Sequence, residues 1–195
     1  HDYLDYDHFL RLLYLANSDK SFRIDRIDDV YSTERGTKLV FIGAYCSMPN
    51  HFHILIKQSE DGGISKFMHK LLTAYSMYYN IKYERVGGIF EGKFKSEHID
   101  SDRYLKYIFS YIHLNPVKLI EPKWKEFGIN NKIRVMEFLD RYSYSSYQDF
   151  IGKDRRGKEG LILDREQYPN YFYNQDKFQR EILDWITLKE DTLEA

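Results

Sequence analysis

Residues 39–57 read LVFIGAYCSMPNHFHILIK. Two apolar runs, 39–46 and 51–57, flank the tetrapeptide Ser47-Met48-Pro49-Asn50. β-Branched and aromatic side chains fit a pleated sheet, whereas Pro and Asn mark turns, so the stretch predicts two antiparallel strands joined by a short connection. Successive side chains of a strand point to opposite faces. His51 and His53 therefore project together and Phe52 projects the other way. Two neighbouring imidazoles make half of a divalent-metal site.

Helices are expected on both sides of this hairpin. Upstream, Phe9, Leu10, Leu12, Leu13 and Leu15 suit a buried helix over 5–17. The polar segment 18–37 holds a short helix near 25–31. Downstream, Asp61-Gly62-Gly63 breaks the strand pattern. Ile64, Phe67, Met68, Leu71, Leu72 and Tyr75 then recur at helical spacing. Gly87-Gly88 opens a hairpin or strand over 89–99. Asp100 or Ser101 caps a helix that runs to 114, limited by Pro116. Helices near 132–140 and 175–189 follow, separated by a polar, glycine-containing stretch at 152–160. Helices interleaved with antiparallel strands predict an α+β fold with helices on one face of the sheet.

The chain has 195 residues, 43% hydrophobic and 30% charged, the composition of a soluble globular protein. Its length suits one sizeable core over 1–150 with a C-terminal helical extension over 151–195. Net charge is −1, so any attraction to nucleic acid must come from local patches. No apolar run approaches the roughly 18 residues of a membrane span. A single cysteine, Cys46, excludes an internal disulfide framework and fits a reducing cytoplasm.

The helix ending at 114 carries the second chemical signal. On a helical wheel, Leu105, Ile108, Phe109 and Ile112 form the core face. Tyr104, Tyr107, Tyr111 and Asn115 line a neighbouring side, about 100° away. A phenol with a pKa of about 10 is a poor nucleophile at neutral pH. A metal that polarises a phosphate would help it. His51, His53 and the Asn115 amide oxygen are the candidate ligands, and any of the three tyrosines could serve. His113 falls on a different face and reads as structural. Lys82, Arg85, Lys93 and Lys95 form a locally basic stretch that is either solvated surface or a phosphate contact. Tyr78, Tyr79 and Tyr83 are candidates for base stacking or for packing.

Four landmarks resemble the HUH single-tyrosine transposases, also called transposase IS200-like, and most closely their REP-associated branch. They are Ala44 to Leu55, Gly92-Lys93-Phe94-Lys95-Ser96, Tyr111-Ile112-His113-Leu114-Asn115-Pro116-Val117-Lys118, and Tyr144-Ser145-Ser146-Tyr147. The resemblance covers roughly 39–150 and implies a ferredoxin-like antiparallel sheet. It selects Tyr111 as nucleophile, with His51, His53 and Asn115 as metal ligands. On the phosphate-contact reading of the basic stretch, Arg85, Lys93 and Lys95 would contact DNA. The implied cofactor is Mg²⁺ or Mn²⁺, with Ni²⁺ or Zn²⁺ as ions a crystal would hold. The implied substrate is single-stranded DNA beside a short hairpin, cut to leave a 5′-phosphotyrosine and a free 3′-hydroxyl. Related proteins act as monomers or homodimers. The family's first strand is not found before Asp5, so it is expected to be missing, and 18–37 is longer than the usual connection. The alternative is a catalytically silent DNA-hairpin-binding protein of the same fold. A zinc hydrolase would need further ligands that no second cluster supplies.

Overall fold

The computed structural model describes residues 2–152, 157–172 and 174–187. Its helices are α1 (Tyr3–Ala16), α2 (Gly63–Lys82), α3 (Asp102–Leu114), α4 (Trp124–Phe127), α5 (Lys132–Arg141), α6 (Tyr147–Phe150) and α7 (Gln175–Thr187). Strands β1 (Val40–Ser47) and β2 (Phe52–Gln58) pair antiparallel. The class is thus α+β, built on a two-stranded antiparallel sheet with helices around it.

The hairpin closes where the sequence places it. Ser47 pairs with Phe52 and Cys46 with His53, and Met48 N–H donates to the His51 carbonyl at 2.8 Å. His51 closes the turn one residue ahead of β2. A register shift between Ile42 and Ala44 falls at Gly43. The Tyr168 ring lies over that glycine, where a Cβ would come within 2.6 Å of it. The far edge of β1 is covered by the 144–146 segment: Ser47 N–H donates to the Tyr144 carbonyl and Ser146 N–H to the Tyr45 carbonyl. The edge is thereby withdrawn from further pairing.

Helices meet both sides of β2. Phe52 packs on Phe9 of α1, with ring centroids 5.0 Å apart, and Phe9 in turn meets Tyr75 of α2. His53 faces α3. This is wider cover than helices on one face. The C-terminal residues join the same core. Phe178 and Ile182 of α7 are buried, and Phe109 of α3 stacks on Phe172 at 3.7 Å and meets Phe178 edge-on.

Two local expectations are corrected. The strand predicted over 89–99 does not form, and 85–101 is irregular. Its apolar residues Ile89, Phe90, Phe94 and Ile99 do not alternate, and Gly87, Gly88 and Gly92 weaken extended pairing. The short helix near 25–31 is instead two 3₁₀ turns, Ile24–Arg26 and Val30–Ser32. The α-helix before Pro116 ends at Leu114 as expected, with Asn115 as its C-cap at helical angles (φ −55°, ψ −38°), and the chain continues as a 3₁₀ turn, Asn115–Leu119. Residues 188–189 of the last predicted helix and 153–156 of the polar stretch lie outside the described residues.

Candidate active site

Ser101 caps α3 by accepting from Tyr104 N–H at 3.3 Å, and Asp102 sits in the first turn, where it suits the helix dipole. The buried residues Phe109 and Ile112 fix the rotation of α3 against the core. The tyrosine side then forms a ladder. Tyr104, Tyr107 and Tyr111 lie nearly parallel at centroid spacings of 6.0 and 6.1 Å. Three different environments follow from it. The Tyr104 phenol is hydrogen-bonded to the Glu97 carboxylate, which pushes its pKa up to about 12. Tyr107 packs on Trp185 of α7 at 5.1 Å. Tyr111 meets the histidines: its ring is 5.4 Å from His53, and His53 is 5.1 Å from His51.

His51, His53, Tyr104 and Tyr111 line one open cleft of about 790 Å³ between β2, the start of α2, and α3. Asn115, one turn beyond Tyr111, is completely buried beside His51. Burial disfavours the charged imidazole at both histidines. It lowers the His51 pKa, against an opposing pull from the Asn115 side chain. It takes His53 to about 4, helped by the positive charges of Lys118 and Lys125. Both rings are therefore neutral near pH 7, the form in which imidazole binds metals. The Asn50 side-chain oxygen lies 2.7 Å from His51 Nδ1. With that oxygen accepting from Nδ1–H, the free lone pair of His51 is on Nε2.

Buried polar atoms normally find partners. Among the described residues, His53 Nε2 and both polar atoms of the Asn115 amide are buried without a hydrogen bond. His113, by contrast, is satisfied at both nitrogens, by the Phe109 carbonyl and Ser146 Oγ, each at 2.8 Å. It is a structural histidine. The unpaired imidazole nitrogen and amide fit a divalent cation held by two nitrogens and one oxygen. Among the described residues there is no group of three or more His, Cys, Asp or Glu able to hold a metal. A carboxylate-rich cage is thus not built into them.

The predicted basic residues separate. Lys95 lines the cleft. Arg85 lines an adjoining hollow that shares His51 and Phe52 with it, and lies 5.9 Å over the Tyr79 ring. Lys93 is exposed and lines neither. Tyr78 and Tyr83 are occupied in bonds to Asp5, which leaves Tyr79 at the hollow.

Two lysines and one asparagine escaped the sequence reading. Lys118 Nζ is 3.5 Å from the Tyr111 hydroxyl, and Lys125 Nζ is 3.9 Å from the centre of its ring. Lys118 lies two turns beyond Tyr111, a spacing that could have been noticed. Lys125 returns to the site only because the chain folds back after Pro116, and no local pattern reports that. Asn50 was read as a turn residue, which it also is.

No helix among the described residues is long and apolar enough to cross a membrane. Residues 18–115, about half of the chain, match the family described as transposase IS200 like. No curated protein and no solved structure matches the chain.

Proposed function

Because the chain belongs to the IS200-like transposase family, and so to a class of proteins that move DNA, we propose that it cuts and rejoins single-stranded DNA through a covalent bond to Tyr111. One observation carries this reading. Tyr111, His51 and His53 of a single chain share one cleft, and the amide of Asn115, unpaired, is buried beside His51.

Tyr111 Oη attacks the phosphorus of a phosphodiester. The Oη–P bond forms as the P–O3′ bond breaks. The phenolic proton passes to water, and the departing 3′ oxygen takes up a proton from water. The products are a 5′-phosphotyrosine and a free 3′-hydroxyl. The phosphotyrosine keeps the energy of the broken bond, so attack by a 3′-hydroxyl rejoins a strand, whereas hydrolysis would lose it. His51 Nε2, His53 Nε2 and Asn115 Oδ1 would hold a divalent metal, Mg²⁺ or the softer Mn²⁺ that two imidazoles favour. When bound, it supplies Lewis-acid polarisation of the phosphate. Asn50 orients His51. The Glu97 carboxylate engages the Tyr104 phenol and Trp185 packs on Tyr107, whereas Tyr111 is the ladder tyrosine beside His53. Lys95 and Arg85, on the rims of the cleft and of the adjoining hollow, and Lys93 near them in sequence, are suited to backbone phosphates of a strand lying beside a hairpin. The Tyr111–His53 approach within one chain supports a site that a monomer completes.

The test is a pool of labelled single-stranded hairpin DNAs incubated with protein and Mn²⁺, then separated on a denaturing gel. A covalent protein–DNA band is expected, absent with chelator and absent in Tyr111→Phe. Hairpin binding without any band would favour the catalytically silent binding protein.

A further inference from the structure

Lys118 and Lys125 both converge on Tyr111, from different directions. Lys118 stands beyond the hydroxyl, 3.5 Å from it and 5.8 Å from the ring centre. Lys125 lies over the ring, 3.9 Å from its centre. Both side chains are half-buried. Among the described residues neither pairs with a carboxylate. Glu97, the acidic side chain lining the cleft, is engaged with Tyr104, and Glu121 accepts from the backbone N–H groups of Asn130 and Asn131. The Lys125–ring contact accounts for one ammonium as a cation–π pair. It leaves Lys118 with a long 3.5 Å contact to the Tyr111 hydroxyl, and it leaves two positive charges at one phenol with no neutralising carboxylate among the described residues. Such charges, partly withdrawn from water, favour an anion beside them.

We propose that Lys118 and Lys125 are the phosphate-binding residues of the cleft, holding the phosphodiester that Tyr111 attacks. The inference rests on the strand-transfer reading and adds to it the residues that carry the substrate's charge. A phosphodiester carries one negative charge, and attack by a phenol oxygen concentrates more on its non-bridging oxygens. An ammonium already at the reacting hydroxyl, with a second over the ring, meets that charge as it develops, without reorganising. Lys118 Nζ lies 3.5 Å from the oxygen that forms the new Oη–P bond. Lys125, stacked on the ring, also fixes the plane of the phenol.

The test separates charge from packing and does not need turnover. Inorganic phosphate is titrated into the full-length protein with chelator present, and backbone amide shifts are followed by NMR. In the wild type, shifts should saturate at Tyr111, Lys118 and Lys125. Lys118→Met with Lys125→Met keeps the aliphatic stems and removes both charges. It should weaken phosphate at least tenfold with an unchanged melting temperature. Lys118→Arg with Lys125→Arg should restore binding, and Tyr111→Phe should retain it. Equal affinity in the Met pair, or shifts centred elsewhere, would overturn the proposal. Loss of binding in Tyr111→Phe would also overturn it, by assigning the anion to the hydroxyl. In the DNA assay, the Met pair should form the covalent band at least tenfold more slowly, with the Arg pair recovering most of the rate. An unchanged rate would overturn the substrate role. If wild-type protein forms no band while the phosphate results hold, the strand-transfer reading has failed and the anion site stands.

Discussion

Asn17 and Asn115 are both completely buried amides, each at the end of a helix that meets the sheet. Asn17, after α1, is fully used. Its Nδ2 donates to the Val40 carbonyl at 2.8 Å, and its Oδ1 accepts from the Leu39 and Val40 N–H groups, each at 3.0 Å. Asn115, after α3, makes no hydrogen bond of normal geometry at either atom among the described residues, and its polar neighbour is the candidate ligand His51. The same contrast separates their surroundings. Beside α1, the buried Asp5 carboxylate accepts from Lys82 at 2.7 Å, Tyr83 at 2.6 Å and Tyr78 at 3.1 Å. Beside α3, among the described residues, His53 Nε2 is unpaired and neither Lys118 nor Lys125 pairs with a carboxylate. A polar group that completes its bonds internally holds the fold together. One that is buried and incomplete is stabilised only by something that arrives from outside.

The comparison breaks most readily at Asn17. Asn17→Ala leaves the Leu39 and Val40 backbone groups without their partner, and should destabilise the protein by about 3 kcal/mol. In thermal unfolding this is a fall of roughly 6–12 °C for a chain of this size. A fall under about 2 °C would show that water replaces the amide.

Acid should undo the other satisfied cluster. Burial alone would raise the Asp5 pKa, but the bonds from Lys82, Tyr83, the Asp2 N–H and Tyr78 outweigh it and hold the group at about 2. A carboxylate whose folded pKa lies below its unfolded value stabilises the fold above the unfolded value. That stability fades as pH falls from about 4 through 2, with about 2 kcal/mol at stake. Denaturant titrations between pH 5 and pH 2, ranges chosen to bracket about two pKa units, should show the loss. Asp5→Asn should flatten the dependence, and an unchanged slope would contradict the assignment.

The smallest effect is expected at the incomplete site. Asn115→Leu replaces an unpaired amide by an apolar group of similar shape, a change that is nearly neutral or stabilising where no bond is lost. Its stability should lie within about 1 kcal/mol of wild type. A loss as large as that of Asn17→Ala would mean that Asn115 belongs to the fold.

The hairpin and the main helices were legible because their signals are local: strand composition around a Pro-Asn turn, and apolar residues at helical spacing. The ligand candidates were legible for the same reason, since His51 and His53 are two apart on one strand and Tyr111 and Asn115 four apart on one helix. The segment 85–101 was misjudged because its glycines resembled a hairpin signal while its apolar residues lacked a period of two. Asn115 read as a helix C-terminal residue because a proline follows it, and it is the C-cap of α3. Lys125 was invisible because only the fold-back after α3 brings it to Tyr111. Asn17 gave no sign of its role, because its three bonds reach a strand more than twenty residues away.

Metal-linked stability tests the central claim, that the unpaired groups beside α3 await a cation, most directly. Thermal unfolding of the wild type, Asn115→Leu and His53→Ala would be followed with chelator and with Mn²⁺ at about 100 times its dissociation constant. Binding to the folded state alone adds about 2.7 kcal/mol at that ratio, or roughly 5–10 °C. The account predicts that rise in the wild type and its loss in both variants. An equal rise in all three proteins, or none in the wild type, would contradict it.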